Sequence, residues 1–246
     1  MQGSEGQFGL NKEGLLESDL SFVVTAAHEL KSPLALVRQL GLSLEAGIIS
    51  SSDEQAKLLR QIVLTSERAL RLTTDLARSS RLEDSLFELE PLNPQQICEE
   101  VAHELTPLYK AKGREIRVAS RYRPLLAVAN RDLLRRVVLN FGDNALHYAG
   151  DAPVELRAGS IRGGEAVRIG VRDFGPAVPA DMWRRVQSSL GSDKQPLHAR
   201  PQSSGLGLMV AGQFANAMNG RIGASRHRDG ATFYIDMNAS TQLILL

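Results

Sequence analysis

Very little in this chain can staple it, anchor it or give it a strong net charge. One cysteine stands among 246 residues. That excludes an intramolecular disulfide and any all-cysteine metal site, and it fits a reducing compartment. Lys and Arg number 29 against 28 Asp and Glu, a net charge of +1. This balance gives no general nucleic-acid footprint and leaves only a local basic patch open. No stretch reaches the ~18 consecutive apolar residues of a membrane-spanning helix. The opening MQGSEGQFGL has no apolar core behind a basic head, so it does not read as a secretory signal. There is no internal repeat, and compositional bias is confined to the Gly, Ser and Gln of the first residues. What is present is ordinary for a globular protein, 43% hydrophobic and 23% charged. A chain of this length makes one or two domains and hides roughly 70–75% of its unfolded surface.

The pattern divides in two. Residues 1–14 are polar and glycine-rich and read as a frayed start. From Leu15 the spacing turns helical, with Phe22, Ala26, Leu30, Leu34 and Val37 on one apolar stripe. Pro33 interrupts that stripe and is expected to bend the helix or open its hydrogen-bond ladder. A turn over 47–52, with Asp53 or a preceding serine as cap, leads to a second helix over 54–81. Leu59, Ser66 and Thr73 recur every seven residues, as do Ile62, Ala69 and Leu76. The Ser and Thr weaken a simple coiled coil, although small residues permit close packing. Two long helices joined by a short turn form an antiparallel hairpin that buries one seam. The rest of its apolar surface calls for a partner, most simply a second copy in a four-helix dimer.

The second part opens near Leu86. Residues 87–90 read as a strand, and Pro94 opens a helix that runs to Lys112 and stops at Gly113. Strands are expected over 115–119, 126–129, 154–158, 167–171, 221–224 and 231–236, and helices over 132–148 and 205–218. That order suggests a mixed sheet covered by helices on one face. The apolar end at 243–246 reads as a small docking segment.

His28 sits mid-helix beside Glu29. Neighbours on a helix are about 100° apart, so the carboxylate flanks the ring without sharing its face. It can take a ring proton or hold the tautomer. A neutral imidazole is a competent nucleophile near pH 7. An incidental helical histidine fits the spacing as well. The run His28-Glu29-Leu30-Lys31-Ser32-Pro33-Leu34, however, resembles the H-box of bacterial two-component sensor histidine kinases. The resemblance implies that His28 is the phosphoacceptor, Glu29 its acid–base partner and Pro33 a point of flexure. It also places Ser32 where many members carry the Thr or Asn used to hydrolyse a regulator's phosphoaspartate. The similar words His103-Glu104-Leu105-Thr106-Pro107-Leu108 are one residue short before the proline, and His103 reads as structural.

Three further motifs follow. Asn140 and Asn144 are four apart, on one helical face, with His147 a turn on. Stacked amides can orient a metal–phosphate group or donate to phosphate, and can equally line a solvated face. Asp173-Phe174-Gly175 follows an apolar strand. A carboxylate there can accept an adenine amine, with Gly175 letting the backbone approach, or the segment is a plain turn. Ser203-Ser204-Gly205-Leu206-Gly207-Leu208 opens a helix, where free N–H groups favour phosphate. It is neither a Walker A loop nor a dinucleotide fingerprint.

In this order the motifs resemble the N, G1 and G2 boxes of the histidine-kinase ATP-binding domain, a fold shared with gyrase, Hsp90 and MutL-type ATPases. The resemblance implies Asn140 and Asn144 at the Mg²⁺–triphosphate end, as metal-side residues. It puts His147 and Tyr148 at the position usually held by a basic residue and a tyrosine. Asp173 becomes the adenine reader with Gly175 beside it, and Gly205, Leu206 and Gly207 the phosphate-side loop. Thr232, in Asp229-Gly230-Ala231-Thr232-Phe233, is expected to support Asp173 through a hydroxyl or water. Residues 184–204 read as a lid, from which Lys194 or Arg200 reaches the γ-phosphate. Three positions depart from the family pattern: Ala177 and Ser203 stand where glycines are usual, and Met182-Trp183-Arg184-Arg185 replaces a phenylalanine segment.

The expected architecture is therefore an all-α dimerising hairpin (15–82), a linker with a first strand (83–94) and an α/β-sandwich ATP-binding domain (95–238). The expected function is an ATP- and Mg²⁺-dependent histidine autokinase that passes its phosphoryl group to an aspartate of a response-regulator receiver domain, with phosphatase activity left open. The implied setting is cytoplasmic, as a stand-alone kinase or the inner part of a longer sensor, without nucleic acid or membrane contact. Two rivals stay open. A weak or inactive dimeric scaffold would dock a regulator without chemistry, and an ATPase or protein-serine kinase of the same superfamily would yield free phosphate or an acid-stable product.

Overall fold

The computed structural model describes residues 6–47, 51–79, 82, 87–119, 125–148, 150–190 and 206–241. Helix α1 (Gly6–Glu45) and helix α2 (Ser52–Ser79) form the hairpin. Helix α1 begins nine residues before Leu15 and takes in part of the polar start. Glycine costs a helix interior only about 1 kcal/mol, too little to stop it there. Pro33 lies inside α1, which continues through it as one helix. Helix α2 carries Asp53 and Glu54 in its first turn and Arg78 in its last, each matching the sign of the helix dipole. Only Ala69 and Asp75 of α2 are buried. Val24, Leu34, Leu42, Leu59, Val63 and Leu70 are exposed, so much of the hairpin's apolar surface is uncovered in a single chain.

The second part is an α/β layer. Strand β1 (Glu90–Leu92) pairs antiparallel with β3 (Ala127–Ala129). It lies just beyond the expected 87–90 because pairing, rather than composition, sets its position. Pro91 is tolerated in so short an edge. The main sheet contains β2 (Ile116–Val118), β4 (Val154–Ile161), β5 (Ala166–Arg172), β6 (Arg221–His227) and β7 (Gly230–Asn238), in the order β2-β4-β5-β7-β6. Its pairings are antiparallel except β2 with β4. Alternation explains the layering. Val167, Ile169 and Val171 of β5, with Phe233, Ile235 and Met237 of β7, point into the core. Arg168 on the other face makes a two-pronged ion pair with Asp236, at 2.6 and 2.8 Å, and lies over the Tyr234 ring.

Helices α3 (Pro94–Ala111), α4 (Arg131–Tyr148) and α6 (Leu206–Ala217) pack on the inner face. Asn93 caps α3 by accepting from the Gln95 N–H at 3.0 Å, with Pro94 in the first turn. Gly113, at φ +65°, turns the chain after it. Ile97, Val101, Leu105, Phe141, Phe214 and Ile235 are all fully buried at the centre of this core. Residues 184–189, expected as the start of a lid, instead belong to helix α5 (Ala180–Ser189). Trp183 and Val186, three apart, anchor it to the core. The remainder of the expected lid, with Lys194 and Arg200, and the end at 243–246 lie outside the described residues. His103 is exposed on α3.

The two parts meet along a charged belt on α2. Asp75 pairs with Arg136, Arg78 with Asp132 at 3.4 Å, and Ser79 hydrogen-bonds to Gln213 of α6.

Candidate functional site

Asp173 follows β5 directly and is almost wholly buried. Its backbone N–H donates to Ala231 across the sheet at 3.0 Å. Its Oδ1 accepts the N–H groups of Gly175 at 3.1 Å and Ala231 at 3.3 Å, which fixes the carboxylate at the strand end. Gly230 makes the approach possible. It sits at φ +122°, and a Cβ there would lie 2.2 Å from the Asp173 carbonyl oxygen and 2.6 Å from Oδ1. Arg172 closes the same corner. It is buried over the Phe174 ring, bonded to the Asp173 carbonyl and paired with Asp229 at 2.5 Å.

Thr232 Oγ1 lies 2.9 Å from His227 Nε2, on the neighbouring strand, and the backbone N–H groups of Gly175 and Ala231 hold the Asp173 carboxylate. Ala177 is exposed and has no positive φ, so the missing glycine costs no backbone strain there.

Helix α4 carries the second cluster. Asn140, Asp143, Asn144 and His147 line a cleft of about 280 Å³ together with Gly207 of α6. A Cβ on Gly207 would lie 3.7 Å from Asn140 Oδ1, so the start of α6 abuts the first asparagine. Leu206 beside it is buried and holds that helix end to the core. Among the described residues, Asn140 Nδ2 and Asp143 Oδ1 are buried without a hydrogen-bond partner. Such orphaned groups are costly, and a polar ligand removes the cost. Asp173 does not line this cleft, whose volume is at the low end for a small-molecule site. It suits the phosphate end of a nucleotide better than a whole one.

The opposite wall of the cleft is the hairpin. Glu29, Ser32 and Pro33 of α1 line it, with Arg68 and Arg71 of α2. His28 lies in α1 beside Glu29; its side chain, that of Tyr148, and residues Ser203, Ser204 and Gly205 are outside the described set. Glu29, Ser32 and Pro33 of α1 thus face the asparagines.

The field here is positive at one end. Desolvation, then Arg68, Lys112 and Arg114, lowers the His147 imidazole well below its ordinary range, although part of the residue reaches solvent. Desolvation, Arg68 and Arg114 likewise lower Lys112. Asp143, Arg68 and Arg71 were not singled out from the sequence. Asp143 could have been noticed between the two asparagines, but the arginines could not, because only docking of α2 on α4 brings them there.

Residues 129–241 match the family described as histidine kinase-, DNA gyrase B-, and HSP90-like ATPase. The sensor protein CutS of Streptomyces coelicolor is 30% identical over 219 residues, 85% of this chain and 50% of its own length. The sensor protein KdpD of Mycobacterium tuberculosis is 32% identical over 226 residues, 89% of this chain and 26% of its own. The chain thus spans half or less of these curated relatives. Full-length ShkA, solved with AMPPNP, superposes with a TM-score of 0.60 at 24% identity, over 92% of this chain and 47% of that one. The histidine kinase AdeS of Acinetobacter baumannii gives 0.59 at 17%, over 87% and 98%. These two likenesses establish the fold, a helical hairpin followed by a mixed α/β ATP-binding domain, whose five-stranded sheet here carries the buried aspartate at one strand end and the two asparagines on the helix packed against it. The chain therefore carries a histidine-kinase-type ATPase core and is homologous to the catalytic core of sensor histidine kinases.

Proposed function

We propose that this chain is an ATP-dependent protein-histidine autokinase whose acceptor is His28 and whose phosphoryl group passes on to an aspartate of a response-regulator receiver domain. One observation carries the reading: Glu29 and Ser32, flanking His28, line the same cleft as Asn140, Asn144 and His147. The family match and the homology to sensor proteins support it.

Adenine would sit at Asp173, whose second carboxylate oxygen can accept the exocyclic amine while Oδ1 stays with the backbone. The triphosphate would run toward Asn140, Asn144 and Gly207, at the start of α6 where helix N–H groups favour anions. The orphaned Asn140 amide and Asp143 oxygen fit a phosphate and a hydrated cation, so the donor set accepts a magnesium–nucleotide. Magnesium, when bound, supplies charge compensation at the phosphates. The lone pair of the His28 ring attacks the γ-phosphorus, an N–P bond forms and the bond to the ADP oxygen breaks. Glu29 receives the ring proton. Holding donor and acceptor across one cleft supplies the proximity on which such transfers depend.

The domains would divide at 15–82, 83–94 and 95–238, and the hairpin would pair with a second copy over its exposed leucines and valines. Incubation with γ-labelled ATP and Mg²⁺, comparing wild type with His28→Gln, tests the reading. Acid-labile, base-stable label that disappears in H28Q is the expected result. No label on a folded dimer would replace the kinase reading with the scaffold, and acid-stable label with the serine-kinase rival.

A further inference from the structure

Arg68 and Arg71 of α2 are three apart and share one helix face. Both point across the cleft to one acceptor. Arg68 Nε lies 3.8 Å from Asp143 Oδ2, Arg71 Nη2 lies 3.8 Å from the same atom, and Arg71 Nη1 lies 3.7 Å from Glu104 Oε1. These contacts are ion pairs longer than a hydrogen bond. Two guanidinium groups share one oxygen while Asp143 Oδ1 is buried with no partner among the described residues. The next charged pair along α2 behaves differently: Asp75 and Arg136 are in direct hydrogen-bonding contact. The belt is therefore tight at Asp75 and slack at Asp143, where the phosphate end of the cleft lies.

The charge count at that end favours an anion. The charged side chains that line the cleft are balanced, Glu29 included, and Lys112 and Arg114 add positive charge at its His147 end. Desolvation first, and then neighbouring cations, Arg68 and Arg114 among them, lowers both His147 and Lys112. A guanidinium fork fits phosphate oxygens and is strongest when it makes two short charge-assisted bonds, which Asp143 does not give it here.

We propose that Arg68 and Arg71 are phosphate-positioning residues supplied by the hairpin, held loosely on Asp143 until a nucleoside triphosphate arrives and then transferred to its terminal phosphate. The hairpin would thus select the triphosphate over the diphosphate and draw the terminal phosphorus toward α1. The catalytic domain alone binds the adenine and the inner phosphates; the terminal phosphate is read across the cleft. The inference rests on the nucleotide-binding reading above.

The test is calorimetric binding of ADP and of AMPPNP, each with Mg²⁺, to the full chain and to two double variants, Arg68→Gln/Arg71→Gln and Arg68→Lys/Arg71→Lys. Charge-assisted bonds of the usual strength predict that R68Q/R71Q lowers AMPPNP affinity about tenfold or more. ADP affinity should be retained, and the lysine pair should recover much of the preference. A simple loss of structure would weaken both ligands together, so the ratio distinguishes positioning from folding. An unchanged AMPPNP-to-ADP ratio in R68Q/R71Q, or an equal loss of both ligands, overturns the proposal while leaving nucleotide binding in place. If wild type binds neither ligand, the nucleotide reading falls and this inference with it.

Discussion

The hairpin and the α/β domain solve the burial problem differently. In the domain, α3, α4 and α6 bring Ile97, Leu105, Phe141 and Phe214 to full burial against the sheet. In the hairpin, α2 buries only Ala69 and Asp75, the second of them by docking on the domain, while Leu59, Val63 and Leu70 stay in water. One part is a finished core and the other is half of one. A surface stripe of that kind signals an interface. The proposed function divides the same way: the packed domain holds Asp173 and the asparagines, and the hairpin carries His28 and the two arginines.

Equal truncations in the two regions should expose the contrast most strongly. Phe141→Ala should cost the domain about 3–5 kcal/mol in denaturant unfolding. Leu70→Ala, at a residue 68% exposed, should cost under about 0.5 kcal/mol in a single chain, and any larger effect should grow with protein concentration. Equal costs at all concentrations would erase the distinction.

Two positive-φ glycines give the next comparison. Gly230→Ala meets both backbone strain and the Asp173 carbonyl, whereas Gly47→Ala, at φ +62°, meets nothing within 4 Å. Strain of this type is worth roughly 1–3 kcal/mol. Gly230→Ala should exceed that and weaken a fluorescent ATP analogue at least tenfold, by about 1.4 kcal/mol. Gly47→Ala should stay within it and leave nucleotide affinity alone.

The smallest effect belongs to the boundary. Desolvation, followed by Arg68, Lys112 and Arg114, holds the His147 imidazole below its unfolded value. The unfolded chain therefore binds the proton more readily, so stability is complete above about pH 6.5 and falls as pH drops below it. His147→Gln should flatten the stability–pH curve on that acid side, read by thermal unfolding across a pH series. A nucleotide-saturated sample should show a weaker slope, because phosphate offsets the cations.

Periodicity made most of this legible. The alternation of β5 and β7 and the 3.6-residue spacing of α3 and α4 are strong because one face of each is buried. The conjunction of His28, Asn140, Asn144, Asp173 and Gly207 made the family readable although each motif is weak alone. What escaped was set by tertiary contact. Helix α5 looks polar, and two buried residues, Trp183 and Val186, suffice to seat it. Strand β1 shifted because its partner β3 fixes the register. Arg68 and Arg71 look like any solvated helix face until α2 lies on α4.

The most direct test of the division is sedimentation of the whole chain beside a fragment spanning 87–241, each over a wide concentration range. The account predicts a dimer for the whole chain and a folded monomer that still binds nucleotide for the fragment. A whole chain that sediments as a monomer with its helices intact, or a fragment that dimerises as strongly, would contradict it.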